Sequence, residues 1–479
     1  MSTPPSKSSR FSLRGRWLAV FLIATVAYRL VTGVLFDLRT PPWQAPDEPR
    51  HFEYVRLLWE KGRPISVADT DPAIQHEILQ SMMDSDFFRW YWLPRPAETP
   101  ASFKQIWRDA YTLLHRPSLY YYLSLPFLGV VIDHNTVDQL HMVRLLSVLL
   151  GVCTVVVAFY ASRALFPGDD FMAVGVTSFV ALVPMYAYLS GVYNSDNLVT
   201  LTSSVLFLGI ALGFQRGLDW RLALFIALTA LLGVAAKRIG VFGLVTAAVV
   251  PLVYLWGRRD TTARALLGVV ALAWLALMAS AGIVAFAPSW LPAWLGKPIN
   301  AYFLNNPKQA TKLLNGHYLS WEFVQFLWGY AKIAAQSFWA QFGWMSLSVD
   351  AIWYEALKVL HLGAALGLAL WLYRAVRGKL SLSSWQWRAL GLWLFGSLAL
   401  GLLAVAEFGV DFWFAPARPT QGRYFFPVII PFATLFLLGW RELWPRRWRW
   451  VGLFGLVAFL FAFNSVCLFW YFGRWFAPL

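Results

Sequence analysis

The feature that most constrains this chain is a series of apolar stretches, each long enough to cross a bilayer and separated by short polar turns. They fall at about residues 17–37, 142–162, 171–191, 197–214, 221–236, 239–256, 264–286, 353–374, 386–407, 424–441 and 450–472. At 1.5 Å per residue such stretches reach across the hydrocarbon, where only a helix or a closed barrel satisfies its own backbone. An all-α integral membrane protein follows, with about eleven transmembrane helices and a range of ten to thirteen. The balance of 58% hydrophobic against 14% charged residues, with 27 Trp, excludes a soluble fold. The net charge of +15 could suggest nucleic acid, but the Lys and Arg sit in short loops between apolar runs, where a membrane protein keeps its cytoplasmic cations. No nucleic-acid partner is expected; membrane lipids are. Cys153 and Cys467 each lie within an apolar run, so neither a disulfide framework nor a Cys-based metal site is indicated.

Charge also orients the chain. Residues 1–16 form a basic cytoplasmic tail carrying Lys7, Arg10, Arg14 and Arg16, and the first apolar run reads as an uncleaved signal anchor. Residues 17–479 then form one polytopic membrane domain with no separate soluble domain. Its outer loops lie at about 38–141 and 287–352 and are long and amphipathic. The apolar stretch from Leu119 to Ile132 is too short to span and reads as interfacial or re-entrant. If it does not cross, the basic loops at Arg163, Arg216 and Arg221, Arg258 to Arg264, Arg374 to Lys379 and Arg441 to Arg449 all fall inside. In the first loop Asp69, Asp71, Glu77, Asp84 and Asp86 read as a solvated face, and Phe87, Phe88, Trp90, Tyr91 and Trp92 as a segment at the headgroup level.

On that topology one set of polar residues gathers at the outer face. In Pro41–Glu60, directly after the first span, Asp47 is a natural N-cap between Pro46 and Pro49, with Glu48 beside it and His51 four residues on, on one helix face. Asp196, in the turn Asn194-Ser195-Asp196-Asn197, can approach Asp47 across the bundle, and two such acids could share a divalent cation, Mg or Mn, or divide the roles of base and metal ligand. Lys237 and Arg238 face out against the positive-inside bias, which makes them a candidate phosphate site. Arg423 opens the tenth span, where a helix N-terminus also suits a phosphate. Each also has a plainer use, as helix cap, snorkelling cation or interfacial anchor. Together they suit an enzyme that binds a lipid-linked phosphate and deprotonates a hydroxyl acceptor.

Several motifs carry a family resemblance: Pro46-Asp47-Glu48-Pro49-Arg50-His51, His115-Arg116-Pro117-Ser118-Leu119-Tyr120-Tyr121, Arg144-Leu145-Leu146-Ser147, Asn194-Ser195-Asp196, Ser337 to Trp344, and Gln421-Gly422-Arg423-Tyr424. Their order resembles the GT-C superfamily of polytopic glycosyltransferases, and more closely a bacterial domain-of-unknown-function branch of it. The resemblance implies transfer of a sugar from a polyprenyl-phosphate donor at the extracytoplasmic face of the bacterial plasma membrane. It implies Asp47 as catalytic acid, Asp196 as the acid that assists it or a metal, and Arg116, Lys237 and Arg423 as phosphate contacts, with Glu48 and His51 as neighbours in the site. Ser118 stands where the family has a second Pro, and no large C-terminal soluble domain follows, which favours a glycan or lipid acceptor over a peptide. The competing classes are a transporter or flippase of lipid-linked sugars, which should carry charges near the midplane whereas here they are expected at helix ends, and a metal-independent polymerase or ligase of surface polysaccharide.

Overall fold

A computed structural model describes residues 13–107, 113–114, 117–256, 320–380, 382–405 and 421–476. The chain is an all-α integral membrane protein, as a backbone without access to water must be. Helix α1 (Leu13–Arg39) leads into a first loop that holds α2 (Glu48–Lys61), α3 (Pro72–Asp84) and α4 (Leu119–Val130). The bundle continues with α5 (Thr136–Leu165), α6 (Asp170–Leu182), α7 (Pro184–Ser190), α8 (Asp196–Arg216), α9 (Trp220–Ala236) and α10 (Val241–Trp256). It then resumes with α11 (Trp321–Ala340), α12 (Ala351–Val376), α13 (Ser384–Ala404), α14 (Ile429–Glu442) and α15 (Arg449–Ser465). The one sheet among the described residues is a two-stranded hairpin, β1 (Gln341–Phe342) against β2 (Leu347–Ser348).

Among the described residues eight helices are long and apolar enough to cross, nine if α6 and α7 count as one bent span. The expected span at 221–236 is α9, of 17 residues, and the one at 264–286 lies outside the described residues, as does Arg116. The span expected at 171–191 is broken by 63° between α6 and α7. Pro184 explains the break, since proline removes an N–H from the helix ladder yet is well suited to open a new helix. Every residue of α6 and α7 except Asp170 is buried, so this broken segment is the centre of the bundle. Helix α4 has 12 residues with Pro126 inside, too few for a span, in keeping with a non-crossing segment.

Ion pairs sort the two ends of the bundle. At one end Arg163 meets Asp170 at 3.3 Å, Arg441 meets Asp169 at 2.6 Å, and Glu442 pairs with both Arg374 and Arg449. The connector after α1, the turn before α8 and the turn after α9 lie at the other end.

Two expectations need correction. The aromatic group of the first loop is a packed core, because Phe87 and Tyr91 are buried against Trp344, which Trp107 stacks on, and Phe88 is buried against Phe87. Only Trp92 in that group, 68% exposed, behaves as a surface residue. Aromatic density alone cannot distinguish headgroup contact from packing against a second loop 250 residues away. Nor do the charges lie only at helix ends: Arg29 is buried within α1, where it donates to the Tyr186 carbonyl at 2.7 Å and to Ser190 Oγ. It reaches the last turn of α7, where the Tyr186 carbonyl also accepts from Ser190 Oγ at 2.8 Å.

Candidate active site

The site begins in the connector between α1 and α2. Trp43 (φ 71°) and Asp47 (φ 65°) both adopt the left-handed conformation, uncommon for residues with a side chain and worst for bulky ones. Trp43 is held there by full burial and by its Nε1 donating to Ser81 Oγ at 3.0 Å. Asp47 occupies the N-cap position of α2, but its side chain makes no cap hydrogen bond. Its Oδ2 instead accepts from Arg423 Nη2 at 3.0 Å, and its Oδ1 lies 3.9 Å from Arg50 Nη1. Burial opposes ionisation of this carboxyl, yet Arg423 and then Arg50 outweigh it and hold the pKa at about 2.

Glu48, one residue on, has another fate. Both its oxygens are taken by Arg144, from Nε at 2.8 Å and Nη2 at 2.7 Å, and Oε1 also accepts the Tyr193 backbone N–H at 2.9 Å. The remaining Arg144 nitrogen donates to the Asp37 and Thr40 carbonyls and to Asp37 Oδ1. Glu48 and Arg144 are both completely buried. Glu48, read from the sequence as Asp47's neighbour in the site, is a strut that ties α2 to α1 and α5.

The turn before α8 supplies the second acid. Asn194 Oδ1 accepts the Asp196 N–H at 2.8 Å, and Asn197 Nδ2 donates to the Leu189 and Asn194 carbonyls. Asp196 is thereby fixed at the start of α8, where Oδ1 pairs with Lys237 Nζ and Oδ2 lies 3.6 Å from Arg423 Nε. Lys237 stands in the tight turn between α9 and α10. A Cβ on Gly240 would lie 2.1 Å from the Gly233 carbonyl oxygen, so only glycine lets these helix ends meet there. Arg238, next to Lys237, is half-buried in the following turn.

Arg423 joins the two acids. It sits in a 3-10 turn (Gly422–Val428) that leads into α14. The Gly422 N–H donates to Ser337 Oγ at 2.7 Å, and a Cβ on Gly422 would lie 2.2 Å from the Phe338 nitrogen. The Ser337 to Trp344 and Gln421 to Tyr424 motifs are therefore one contact: α11 receives the Gly422 backbone and so aims Arg423. Arg423 is 2% exposed, and its Nε and Nη1 have no hydrogen-bond partner among the described residues; nor does Asp196 Oδ2. Buried donors left unmatched are costly, and at a cluster of charges they point to a ligand that accepts.

His51 lines the same cluster from α2. Its Nδ1 is 2.7 Å from the Tyr121 hydroxyl, and burial lowers its pKa to about 3, with Asp47, Lys237, Asp196 and Arg423 all acting on it. It is a neutral imidazole. The tyrosines of α4 connect the parts: Tyr120 bonds Ser147 at 2.6 Å and accepts the Asn194 N–H at 3.2 Å, while Ser118 donates to the Ala236 carbonyl at 2.6 Å, directly before Lys237. Sequence reasoning missed Arg50, which lies over the Trp107 ring at 4.5 Å beside Asp47, and the role of Arg144. The signal for Arg50 was its place three residues after Asp47, on the same helix face.

A divalent cation does not fit these residues. No three His, Cys, Asp or Glu side chains gather to hold a metal among the described residues. Asp47 is already matched by Arg423 and Arg50, and Asp196 by Lys237 and Arg423, so an ion bridging both acids would have to displace the guanidinium between them.

A family model described as "Predicted membrane protein (DUF2142)" matches residues 30–432. No curated protein matches the chain. Among solved structures, the archaeal oligosaccharyltransferase AglB from Archaeoglobus fulgidus, in complex with an inhibitory peptide and a dolichol-phosphate, aligns over 96% of this chain at 13% identity and a TM-score of 0.50. The apo form of the Archaeoglobus fulgidus oligosaccharyltransferase aligns over 98% at 12% identity and a TM-score of 0.47. This chain covers 56% of the length of each. At such identity the likeness concerns the fold.

Proposed function

We propose that this chain, which belongs to the DUF2142 family of predicted membrane proteins, is a glycosyltransferase that takes a sugar from a polyprenyl-phosphate donor and gives it to a glycan or lipid hydroxyl. The observation that carries this is the buried Arg423, which lies between two carboxylates and beside Lys237 and whose Nε, 3.6 Å from Asp196 Oδ2, and Nη1 have no hydrogen-bond partner among the described residues. A phosphate oxygen is the acceptor such a guanidinium fork suits best. The AglB fold, with its dolichol-phosphate, agrees with a lipid-linked donor.

In this reaction the acceptor hydroxyl gives its proton to Asp47 while its oxygen attacks the anomeric carbon. The bond from that carbon to the phosphate oxygen breaks, and its electron pair leaves with the polyprenyl phosphate. Arg423 and Lys237 neutralise the charge that develops there, the part a divalent cation would otherwise play. Asp196 positions both cations, and neutral His51, fixed by Tyr121, offers a hydrogen bond beside the base. The cation-rich opposite end of the bundle belongs inside by the positive-inside bias, which puts this chemistry at the extracytoplasmic face of a bacterial plasma membrane.

Mass spectrometry of lipids that co-purify from native membranes tests the assignment. Wild type and Asp47→Asn should both retain a polyprenyl phosphate, with the glycosylated form enriched on the variant, and chelators should not change turnover. If neither form retains polyprenyl lipid, and cells carrying Asp47→Asn keep a normal surface glycan, the assignment fails and a transporter or purely structural role replaces it.

A further inference from the structure

We propose that the end of the bundle opposite Asp47 and Arg423 binds the headgroup of an anionic membrane phospholipid, in a cation cluster drawn from α12, α14 and α15. This lipid site lies outside the transferase assignment and does not rest on it.

The sequence puts these cations in two separate loops, and the structure brings them together. Arg374, in the last turn of α12, and Arg449, which opens α15, both donate to Glu442 at the end of α14: Arg374 Nη1 to Oε2, and Arg449 Nη2 to Oε1 at 3.5 Å. Arg374, Arg441 and Arg446 all stand close enough to Arg449 to repel it. Arg441 is paired with Asp169 at 2.6 Å, and the Arg446 side chain makes no ion pair among the described residues. These four guanidiniums therefore share two carboxylates. The positive-inside bias asks for cations at this end, but not for their convergence from α12 and α15 onto one acid. Arg446 and Arg449 also lie at the start of α15, whose first turn has no acidic residue, so both oppose the helix dipole. Like charges gathered in this way cost free energy, and an anion among them removes that cost. It can enter, because Glu442 is enclosed while the Arg374 side chain is 43% exposed and Arg446 is exposed.

The surroundings choose a lipid among anions. Trp450 and Phe454 follow Arg446 at four-residue spacing; both are exposed, with their rings 5.8 Å apart. Leu443 and Trp448 are exposed in the same turn as the cations. Indole rings suit the headgroup level, and an apolar strip leading away from the guanidiniums suits acyl chains. A soluble anion would use the cations and leave the strip without a part. The cluster thus fits a glycerophospholipid of net negative charge, its phosphate among Arg374, Arg446 and Arg449 and its chains along Trp450 and Phe454.

Native mass spectrometry of the full chain in detergent, titrated with phosphatidylglycerol or phosphatidylcholine, tests this. Wild type should prefer phosphatidylglycerol. Arg446→Gln, which breaks no ion pair, should weaken its binding about fivefold, and Arg374→Gln with Arg446→Gln about thirtyfold, Arg449 still covering Glu442, while phosphatidylcholine binding stays the same. Arg216→Gln with Arg221→Gln, at the same end but on α8 and α9, should leave the preference in place. So should Arg423→Gln, which is expected to weaken binding of farnesyl phosphate, a short polyprenyl-phosphate probe, at the other end. Equal losses from the Arg216 and Arg221 pair would reduce the cluster to unspecific attraction and overturn the site. Loss with Arg423→Gln would overturn it too, by moving the lipid to the Asp47 cluster. Displacement of phosphatidylglycerol by an equal concentration of inorganic phosphate, or a wild type without preference, would do the same.

Discussion

Asp47 and Glu48 are neighbours in the chain and end in two different clusters. Around Glu48, both carboxylate oxygens are bonded by Arg144, Oε1 also accepts the Tyr193 N–H, and nothing is exposed. Around Asp47 the side chain is 23% exposed, and among the described residues the main partner Arg423 keeps two nitrogens, and the second acid across from it one oxygen, without a hydrogen bond. Both are networks of buried charge, but only one is complete. A completed network holds helices together, since breaking it would leave a naked charge in a dry place. An incomplete one carries a cost that the fold alone does not repay, and so marks a site.

The widest separation between the two should appear when each acid is removed. Glu48→Ala leaves Arg144 buried without its carboxylate and should cost about 3–5 kcal/mol, seen as a lower melting temperature and poor yield in detergent. Asp47→Asn should lose less melting temperature than Glu48→Ala, because Asp196 stays beside Arg423, and should lose about 10²–10⁴-fold in transfer rate, the usual worth of a positioned base. Equal melting losses for the two variants would erase the distinction.

The pH dependence of stability sharpens the same contrast along α2. Burial lowers His51 from 6.5 to about 3, so between those values the unfolded chain holds a proton that the native one lacks, and stability rises with pH. Glu53, facing Gln75 at 2.6 Å, goes the other way: burial raises it from 4.5 to about 7 against the opposing pull of Gln75 and Arg50. Across that window the native chain holds a proton the unfolded one lacks, and stability falls as pH rises. The two windows overlap from 4.5 to 6.5, where the opposing slopes should leave the wild type nearly flat. Glu53→Gln removes the falling slope, so its stability should climb by about 2 kcal/mol over that range, at roughly 1.4 kcal/mol per pH unit and proton. Melting temperatures taken across the range would show it, and a wild type that climbs as steeply as the variant would contradict the assignment of Glu53.

Much of this was legible in the residues. Of the eleven expected spans, eight coincide with described helices long and apolar enough to cross, and a ninth with the bent pair α6 and α7, because crossing hydrocarbon leaves the backbone little choice. Side parity, counted span by span, was enough to bring Asp47, Asp196, Lys237 and Arg423 to one end, where the structure joins them. Pairing was not legible. Glu48 meets an arginine 96 residues away, and nothing local distinguishes it from Asp47. The left-handed turn at Asp47, which directs its side chain away from the helix it should cap, also depends on tertiary packing. So does the burial of Phe87 and Tyr91 beneath Trp344, which belongs to the second outer loop.

Two smaller changes examine how the incomplete cluster is aimed. Gly422→Ala puts a methyl 2.2 Å from the Phe338 nitrogen and 2.3 Å from the Ala334 carbonyl, both backbone atoms of α11 that cannot swing aside. Overpacking of this kind costs about 1–3 kcal/mol, and because Arg423 is the next residue, weaker binding of farnesyl phosphate should accompany it. Ser118→Ala is milder. The hydroxyl both caps α4, accepting the Tyr120 N–H at 3.2 Å, and donates to the Ala236 carbonyl at 2.6 Å. Loss of such a cap costs about 1 kcal/mol, within reach of a melting curve. Its particular signature lies elsewhere: freeing the Ala236 carbonyl loosens the turn that presents Lys237, so probe affinity should fall in Ser118→Ala and return in Ser118→Thr, which restores the hydroxyl. If stability recovers with threonine but affinity never moved, then α4 supports the fold and not the phosphate site, and the boundary between the complete and incomplete networks must be drawn closer to Lys237.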